Sequence, residues 1–518
     1  MRPARSTLVL IAVLLANASA ILFFRYFITV DGPVHVLRAS LLETPWSSAR
    51  HTAHGITYDH AGIGSVGDRI LNVLLGFRSP EQAHDLYAAL VSCAVLLSAV
   101  AFSRVHGSPL GLASLWLAPV PLHVVLFMGL FHFLLGVAVA FASVAWWKWR
   151  EKESWWRWTG LLVGAVLAWN THRGAIILLC MLVVPGFLNE VRGKDALLPG
   201  VTGRYRLWLL GSVGALLVLG IMWVWPASPS NVYHTVSGTP LLEEANPLRP
   251  LFLLDLQEEQ WLQGGIGVLL LVSFLTASRA RWRMGRKWCW HDVLLAGLLL
   301  FALLASIDRA LAVPELHIAE RCRWLVFLFI AIWLAAISGA QGGWTARVIG
   351  GAAVCALPLH LVRLVRAEAA LASLRPVHLA AMEAAGALDP GSLVWPVITD
   401  PDRLLQHLEA FVAIRHKGIL MAPGEHLHLV LPRDLRRHAG WLYTEDPAWM
   451  VRYWRKGIPP EVGQVLFIGS DLERAVGKHP WPTLLGDCYR LRFDNGYARI
   501  YTAVPDSTMS ALREGSAR

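Results

Sequence analysis

The feature that most limits what this chain can fold into is a succession of apolar runs. Each is close to the ~20 residues that an α-helix needs to cross a bilayer. They lie near residues 7–28, 85–103, 110–128, 130–147, 158–170, 174–188, 207–225, 264–278, 292–307, 323–339 and 345–362, about eleven in all. Backbone in hydrocarbon must satisfy its own N–H and C=O groups, and runs of this length do so as helices. Hydrophobic residues make up 55% of the 518 and charged residues only 16%, whereas soluble domains carry about a quarter charged. A disordered chain, a disulfide scaffold and an ordinary soluble enzyme are thereby excluded. The 24 tryptophans suit a protein with many membrane–water boundaries to anchor. The six cysteines are scattered without a CxxC pair, so neither a structural zinc site nor a disulfide framework is expected.

The net charge of +10 points to membrane orientation and not to nucleic acid. Residues 1–364 hold 28 Lys/Arg against 19 Asp/Glu, and residues 365–518 hold 18 against 17. The excess therefore sits in the apolar part, in short clusters at 148–157, 189–206 and 279–287. Basic residues in short loops mark the cytoplasmic side. With the N-terminus inside, the inner segments collect 17 of those 28. An odd number of spans then places the C-terminal region outside. The expectation is a multi-pass protein of a bacterial inner membrane, with a cytoplasmic N-terminus and an extracytoplasmic C-terminal domain. Met1–Ala20 also has the basic start and Ala18-Ser19-Ala20 ending of a cleavable signal. The apolar run continues through Ile21-Leu22-Phe23-Phe24, so a retained span is expected, and the topology is the same either way.

Two regions follow. Residues 1–364 form the transmembrane region, with a long first outer loop at 29–84 and further outer segments at 226–263 and 308–322. Residues 365–518 read as a small soluble α/β or α+β domain. Its expected elements are a helix at 376–387 and strands at 392–398, 426–431 and 464–468. A hairpin of 489–493 and 497–504 turns on Asp494-Asn495-Gly496, because Asn-Gly accepts positive φ. No nucleotide-binding glycine loop and no internal repeat are evident.

The first outer loop opens with Thr29-Val30-Asp31-Gly32-Pro33-Val34-His35-Val36-Leu37-Arg38. Asp31 stands where a helix N-cap would, and Pro33 is tolerated just inside a helix start. His35 and Arg38 then share a face. The structural reading is a capped interfacial helix. The functional reading is a carboxylate poised at the membrane surface as a general base toward a hydroxyl, with His35 and Arg38 positioning the substrate.

An acid just beyond the first span, a long first outer loop, about eleven spans and an outer C-terminal domain resemble the GT-C glycosyltransferase superfamily. Its members include the protein O-mannosyltransferases and the aminoarabinose lipid A transferases, and bacterial members with a DGPxH loop are similar in detail. Arg78-Ser79-Pro80-Glu81-Gln82-Ala83, Leu130-Phe131-His132-Phe133-Leu134-Leu135-Gly136 and Ala319-Glu320-Arg321 fit the same likeness, which covers roughly residues 7–362. The resemblance implies a transferase that moves a sugar from a polyprenyl-phosphate donor to a glycan, lipid or protein acceptor, with Asp31 as the base. Many members pair two acids side by side, whereas Gly32 follows Asp31 here, and the next loop acids are Glu43, Asp59 and Asp68. A two-carboxylate metal site is therefore not expected. No WWDYG-type motif is present, which argues against an oligosaccharyltransferase.

A lipid-phosphate donor needs cations at the outer surface, and arginine suits phosphate because its planar fork makes paired hydrogen bonds. Asn170-Thr171-His172-Arg173 is one candidate, with an ordinary hairpin between spans as its structural reading. His317-Ile318-Ala319-Glu320-Arg321-Cys322-Arg323 is the other. Here Arg323 can also simply snorkel, with Glu320 as its partner. In the functional reading Arg321, Arg323, Arg173 and His172 contact the phosphate and Glu320 fixes the arginine orientation. His123 and His132, in apolar runs, rank lower. His51, His54, Asp59 and His60 have the residue types of a divalent metal site, but loop histidines are more often solvated, and no metal or other cofactor is expected. Two other functions compete: a non-enzymatic lipid or glycan transporter, and a membrane scaffold or sensor with an outer domain. A transporter usually buries charges at mid-membrane and shows repeated halves, and a scaffold gives Asp31, Arg173 and Arg321 no shared purpose.

The basic clusters generate a topological prediction. Single-cysteine labelling in intact cells is expected to place position 450 outside and position 285 inside. Both positions on one side would overturn the orientation.

Overall fold

The computed structural model describes residues 20–24, 26–42, 57–58, 65–105, 111–149, 155–191, 259–283, 318–389, 392–400, 402–416, 419–420, 429–430, 462–478, 481–486 and 489–504. In chain order the helices are α1 (Gly32–Ser40), α2 (Val66–Leu75), α3 (Pro80–Val105), α4 (Val124–Phe127), α5 (Phe131–Trp149), α6 (Trp155–Thr171), α7 (Arg173–Val191), α8 (Gln260–Arg283), α9 (Ile318–Gln341), α10 (Gly343–Ala387), α11 (Glu409–His416), α12 (Leu472–Gly477) and α13 (Trp481–Leu485). The strands are β1 (Thr57–Tyr58), β2 (Leu393–Ile398), β3 (Ile419–Leu420), β4 (Leu429–Val430), β5 (Gln464–Ile468), β6 (Tyr489–Asp494) and β7 (Ala498–Ala503). The chain divides into two compact units. One comprises Met1–Phe23 and Ala88–Ala367, the other Phe24–Tyr87 and Glu368–Arg518. The first outer loop is thus grouped with the C-terminal region.

In the first unit the apolar runs become helices. Among the described residues five helices are long and apolar enough to cross a membrane: α3, α5, the Trp261–Arg283 part of α8, the Arg321–Gln341 part of α9, and α10. The runs expected at 85–103, 130–147, 264–278, 323–339 and 345–362 fall within them. Those at 158–170 and 174–188 correspond to α6 and α7, which pack on α5 and on each other. Alongside α5, α6 comes very close: a Cβ on Gly164 would lie 1.9 Å from the Ser143 hydroxyl. The runs at 207–225 and 292–307 lie outside the described residues, as does 7–28 up to residue 19; residues 20–23 are helical and 26–29 have no regular secondary structure.

The run at 110–128 is not a continuous span. A short 3₁₀ helix at Leu112–Leu117 leads through turns to α4. Pro119 and Pro121 explain the difference, since each removes an N–H and clashes with the preceding helical turn. His123 then starts α4 afresh, its Nδ1 accepting the Val125 N–H at 3.1 Å. The broken segment is packed beneath α9, with Trp116, Leu117, Ala118, Val120 and Leu122 fully buried.

In the second unit α1 packs against α2 and α11. Ser65 and Asp68 form a capping box at the start of α2. Asn72 Nδ2 donates to the Ala39 carbonyl at 3.0 Å, tying α2 to the end of α1. The main sheet has five strands in the order β3-β2-β5-β7-β6. β2 runs parallel to β3 and β5, while β7 is antiparallel to β5 and β6. All five residues of β5 are buried, and the β6–β7 turn has Gly496 at φ +88°. The strands expected at 392–398, 464–468 and the hairpin are therefore present. The stretch at 426–431 supplies only β4, which pairs antiparallel with β1 from the first loop and not with the main sheet. The helix expected at 376–387 is the end of α10 and not a separate element. Cys93, Cys180, Cys322 and Cys355 form no disulfide among the described residues, while Cys289 and Cys488 lie outside them.

Candidate functional site

Asp31 occupies the N-cap position of α1, as its place before Gly32-Pro33 predicts. Its side chain makes no capping hydrogen bond. The carboxylate instead faces the C-terminal segment of the same unit, with Oδ1 3.8 Å from His407 Nε2. On its other side His407 Nδ1 lies 3.3 Å from Glu409 Oε1. The three groups form an acid–imidazole–acid line, and each is largely shielded from solvent. Glu409 accepts the Nδ1 proton and so directs Nε2 toward Asp31. A neutral ring would then present a lone pair to a carboxylate, which is repulsive. The contact is attractive when a proton lies between the two, on either partner.

A buried hydrogen-bond chain sets the backbone that carries Asp31. His84 Nδ1 lies 2.9 Å from Asp85 Oδ1 and Nε2 lies 3.0 Å from Thr29 Oγ1. The acid takes the Nδ1 proton, so Nε2 accepts the Thr29 hydroxyl. That hydroxyl oxygen in turn accepts the Gly32 N–H at 3.1 Å. Thr29 and His84 are both buried, with Phe27 and Phe411 against the imidazole. A Cβ on residue 32 would come within 2.1 Å of Thr29 Oγ1 and 2.2 Å of His84 Nε2. Gly32 therefore stands where an acid beside Asp31 has no room.

His35 and Arg38 follow on α1, both half-buried. The Arg38 guanidinium lies 3.8 Å from Asp68, whose carboxylate is fully buried and also accepts from the Ser65 amide and hydroxyl. This ion pair joins α1 to α2. The loop histidines 51, 54 and 60 and Asp59 lie outside the described residues.

In the first unit Arg321, on the first turns of α9, meets His172, the residue between α6 and α7. Arg321 Nη1 is 3.2 Å from His172 Nε2. The guanidinium also lies 5.4 Å over the Phe133 ring, and Phe133 packs edge-on against both His172 and Trp324. His172 Nδ1 accepts the Gly174 N–H at 3.1 Å. Burial first, then Arg321 and His132, push the imidazole well below its ordinary pKa, so the ring is neutral. With Nδ1 accepting, its proton is on Nε2. Arg321 and His172 then face each other as two donors, an arrangement that suits an anionic oxygen bridging both.

The remaining candidates separate. Arg173 is exposed, its guanidinium 5.7 Å over Trp169, as an interfacial anchor would be. Arg323 is half-buried. Glu320 lies in the first turn of α9, and its side chain is outside the described residues. His123 stacks on Trp324 at 4.7 Å. His407 and Glu409 carried no sequence signal: a His-x-Glu spacing in the tail is common, and only folding brings it to Asp31.

No family model and no curated protein matches the chain. Two solved structures match it along 96% of its length and 98% of theirs. They are ArnT from Cupriavidus metallidurans in the apo state, 14% identical with a TM-score of 0.38, and the same protein bound to undecaprenyl phosphate, 13% identical with a TM-score of 0.40. Sequences this far apart, superposing this loosely, carry no chemistry across, so function rests on the residues themselves.

The packing at Gly32 generates a prediction. Gly32→Ala is expected to destabilise the protein by about 1–3 kcal/mol, as forced overpacking does, measured by thermal unfolding of the purified full chain. Thr29→Ser, which keeps the hydroxyl, is expected to cost less. A Gly32→Ala protein as stable as wild type would show that Thr29 and His84 do not confine this backbone.

Proposed function

We propose that this chain is an integral-membrane glycosyltransferase that moves a sugar from a polyprenyl-phosphate donor to an acceptor on the outer face of the membrane. The observation that carries this reading is the Asp31 carboxylate. It sits at a helix start without capping it and is paired with an imidazole that can hold a proton. A carboxylate spent on capping would be structural, whereas one left toward His407 is available as a base. In the proposed reaction the acceptor hydroxyl attacks the anomeric carbon as its proton passes to Asp31. The bond between that carbon and the phosphate oxygen breaks, the configuration inverts, and polyprenyl phosphate leaves with the electron pair.

Arg321 and His172 serve the leaving group. Two donors converging on one point stabilise the charge that builds on the phosphate oxygen as the bond breaks. The glycosyl phosphate is already activated, so positioning and charge stabilisation supply most of the catalysis. His35 and Arg38, one and two turns along α1 from Asp31, are assigned to substrate positioning, with Arg38 held through Asp68. Arg173, Arg323 and Glu320 remain secondary candidates for contact with the donor headgroup.

Two outcomes are expected. Asp31→Asn should leave a folded, membrane-inserted protein whose transfer rate falls by ~10²–10⁴-fold, the usual cost of a lost general base. The measurement is release of undecaprenyl phosphate from a panel of undecaprenyl-phosphate sugars with membranes as acceptor source. An Asn variant at wild-type rate would leave Asp31 as a helix-start residue only. Arg321→Ala should raise the donor concentration needed for half-maximal rate, and Arg321→Lys should restore it in part, because lysine lacks the planar fork. Identical donor dependence in all three proteins at equal membrane abundance would make Arg321 an interfacial anchor.

A further inference from the structure

The most unusual side chain in the first unit is one that the reaction above does not use. Arg363 lies on α10 and is fully buried. The positions 349, 352, 353, 356, 360, 363, 364 and 367 form the inward stripe of that helix, at the three- and four-residue spacing of a packed face. Arginine on such a stripe is rare, because a buried charge must be paired and hydrogen-bonded. None of its three guanidinium nitrogens has a hydrogen-bond partner among the described residues.

Glu259 and Gln263, one turn apart at the start of α8, are both buried. α8 and α10 approach each other at this level: a Cβ on Gly265 would lie 3.0 Å from Leu359, and Arg366 lies 5.6 Å over the Trp261 ring. Glu259 acts on Arg363 electrostatically. Arg363 in turn acts on His123 and His360. Since His123 Nδ1 accepts the Val125 N–H, its Nε2 carries the proton and is a second donor in this region. A nearby carboxylate offsets the charge of Arg363 but leaves its five N–H donors unbonded. An anion with several oxygens satisfies both needs.

We propose that Arg363 forms a second anion site in this unit that takes the oxygens of a phosphate group. The site is distinct in its residues from Arg321 and His172. The inference stands on the first unit alone and does not depend on Asp31 or on sugar transfer.

The test is ligand-induced stabilisation of the purified full chain in nanodiscs, followed by thermal unfolding. Inorganic phosphate and undecaprenyl phosphate are titrated separately against wild type, Arg363→Met, Arg363→Lys and Arg321→Ala. Without ligand, Arg363→Met is expected to unfold at or above the wild-type temperature, since an apolar side chain of similar length removes a buried charge. Its stabilisation by phosphate should be lost, and Arg363→Lys should show at least a tenfold weaker response. A wild-type response to both probes makes a free phosphate group sufficient; a response to undecaprenyl phosphate alone assigns the site to the lipid headgroup. The inference is overturned if neither probe stabilises wild type. It is also overturned if Arg363→Met unfolds at a lower temperature yet keeps the full response, which would make Arg363 a counter-ion for Glu259. Loss of response in Arg321→Ala with a normal response in Arg363→Met would sink this site and leave the Arg321 assignment standing. The opposite pattern would remove Arg321 from phosphate binding and leave this one.

Discussion

Hydrocarbon offers no hydrogen bonds to a peptide backbone, and the first unit is organised around that fact. Helices meet it within themselves, but the stretch around Pro119 and Pro121 cannot, so its freed groups must be covered by protein. α9 supplies the cover. The indole of Trp324 donates to the Val120 carbonyl at 3.3 Å, and the turns on either side are buried beneath the same helix. The cover has chemical consequences. The ring that satisfies Val120 also stacks on His123 and packs on Phe133, and the helix that carries it has Arg321 in its first turns. The break in one apolar run and the placement of a cation against His172 are therefore two results of one packing arrangement.

The second unit meets the same cost with side chains. Asp85, His84 and Thr29 pass a hydrogen bond to the Gly32 amide, and Gln464 on β5 accepts from the Asp389 amide and the Ser392 hydroxyl while donating to Thr502. Fully satisfied buried networks of this kind hold one geometry, because every alternative leaves a polar group unpaired. The first network frames the start of α1, so that the Asp31 carboxylate is presented by its backbone and is not needed to cap it. Arg363 stands out against this background: it is fully buried, yet none of its guanidinium nitrogens is hydrogen-bonded among the described residues.

Similar short sequences meet different ends. Thr171-His172-Arg173 and Glu320-Arg321-Cys322-Arg323 each place arginine at the beginning of an apolar helix. Arg173 turns to the surface and lies over Trp169, whereas Arg321 meets His172 and Phe133. The difference lies in helix phase. Position 321 is followed by Cys322, Trp324 and Leu325 on a helix buried on most of its circumference, while α7 begins at an exposed edge. Arginine at a span end thus reads the same in sequence whether it anchors or binds.

The local order of this chain was legible from residue types alone. Seven of the apolar runs lie in helices among the described residues, the stretch Gln464–Ile468 became a fully buried strand, and Asn495-Gly496 closed a hairpin, because each depends on interactions within a few residues. Asp31 at a helix start was visible for the same reason. Proline was visible too, and Pro119 and Pro121 are the physical ground on which the run at 110–128 departs from a span. What only the tertiary structure decided is partnership across long separations. His407 and Glu409 reach Asp31 from more than 370 residues away, β1 finds β4, and Gly32 is confined by His84. Arg363 is an intermediate case: the three- and four-residue spacing of small and apolar residues around it marks a buried stripe, but apolar periodicity does not tell which inward position carries donors that no described residue accepts. Burial follows from pattern, whereas pairing depends on which helices pack together, and no local rule encodes that.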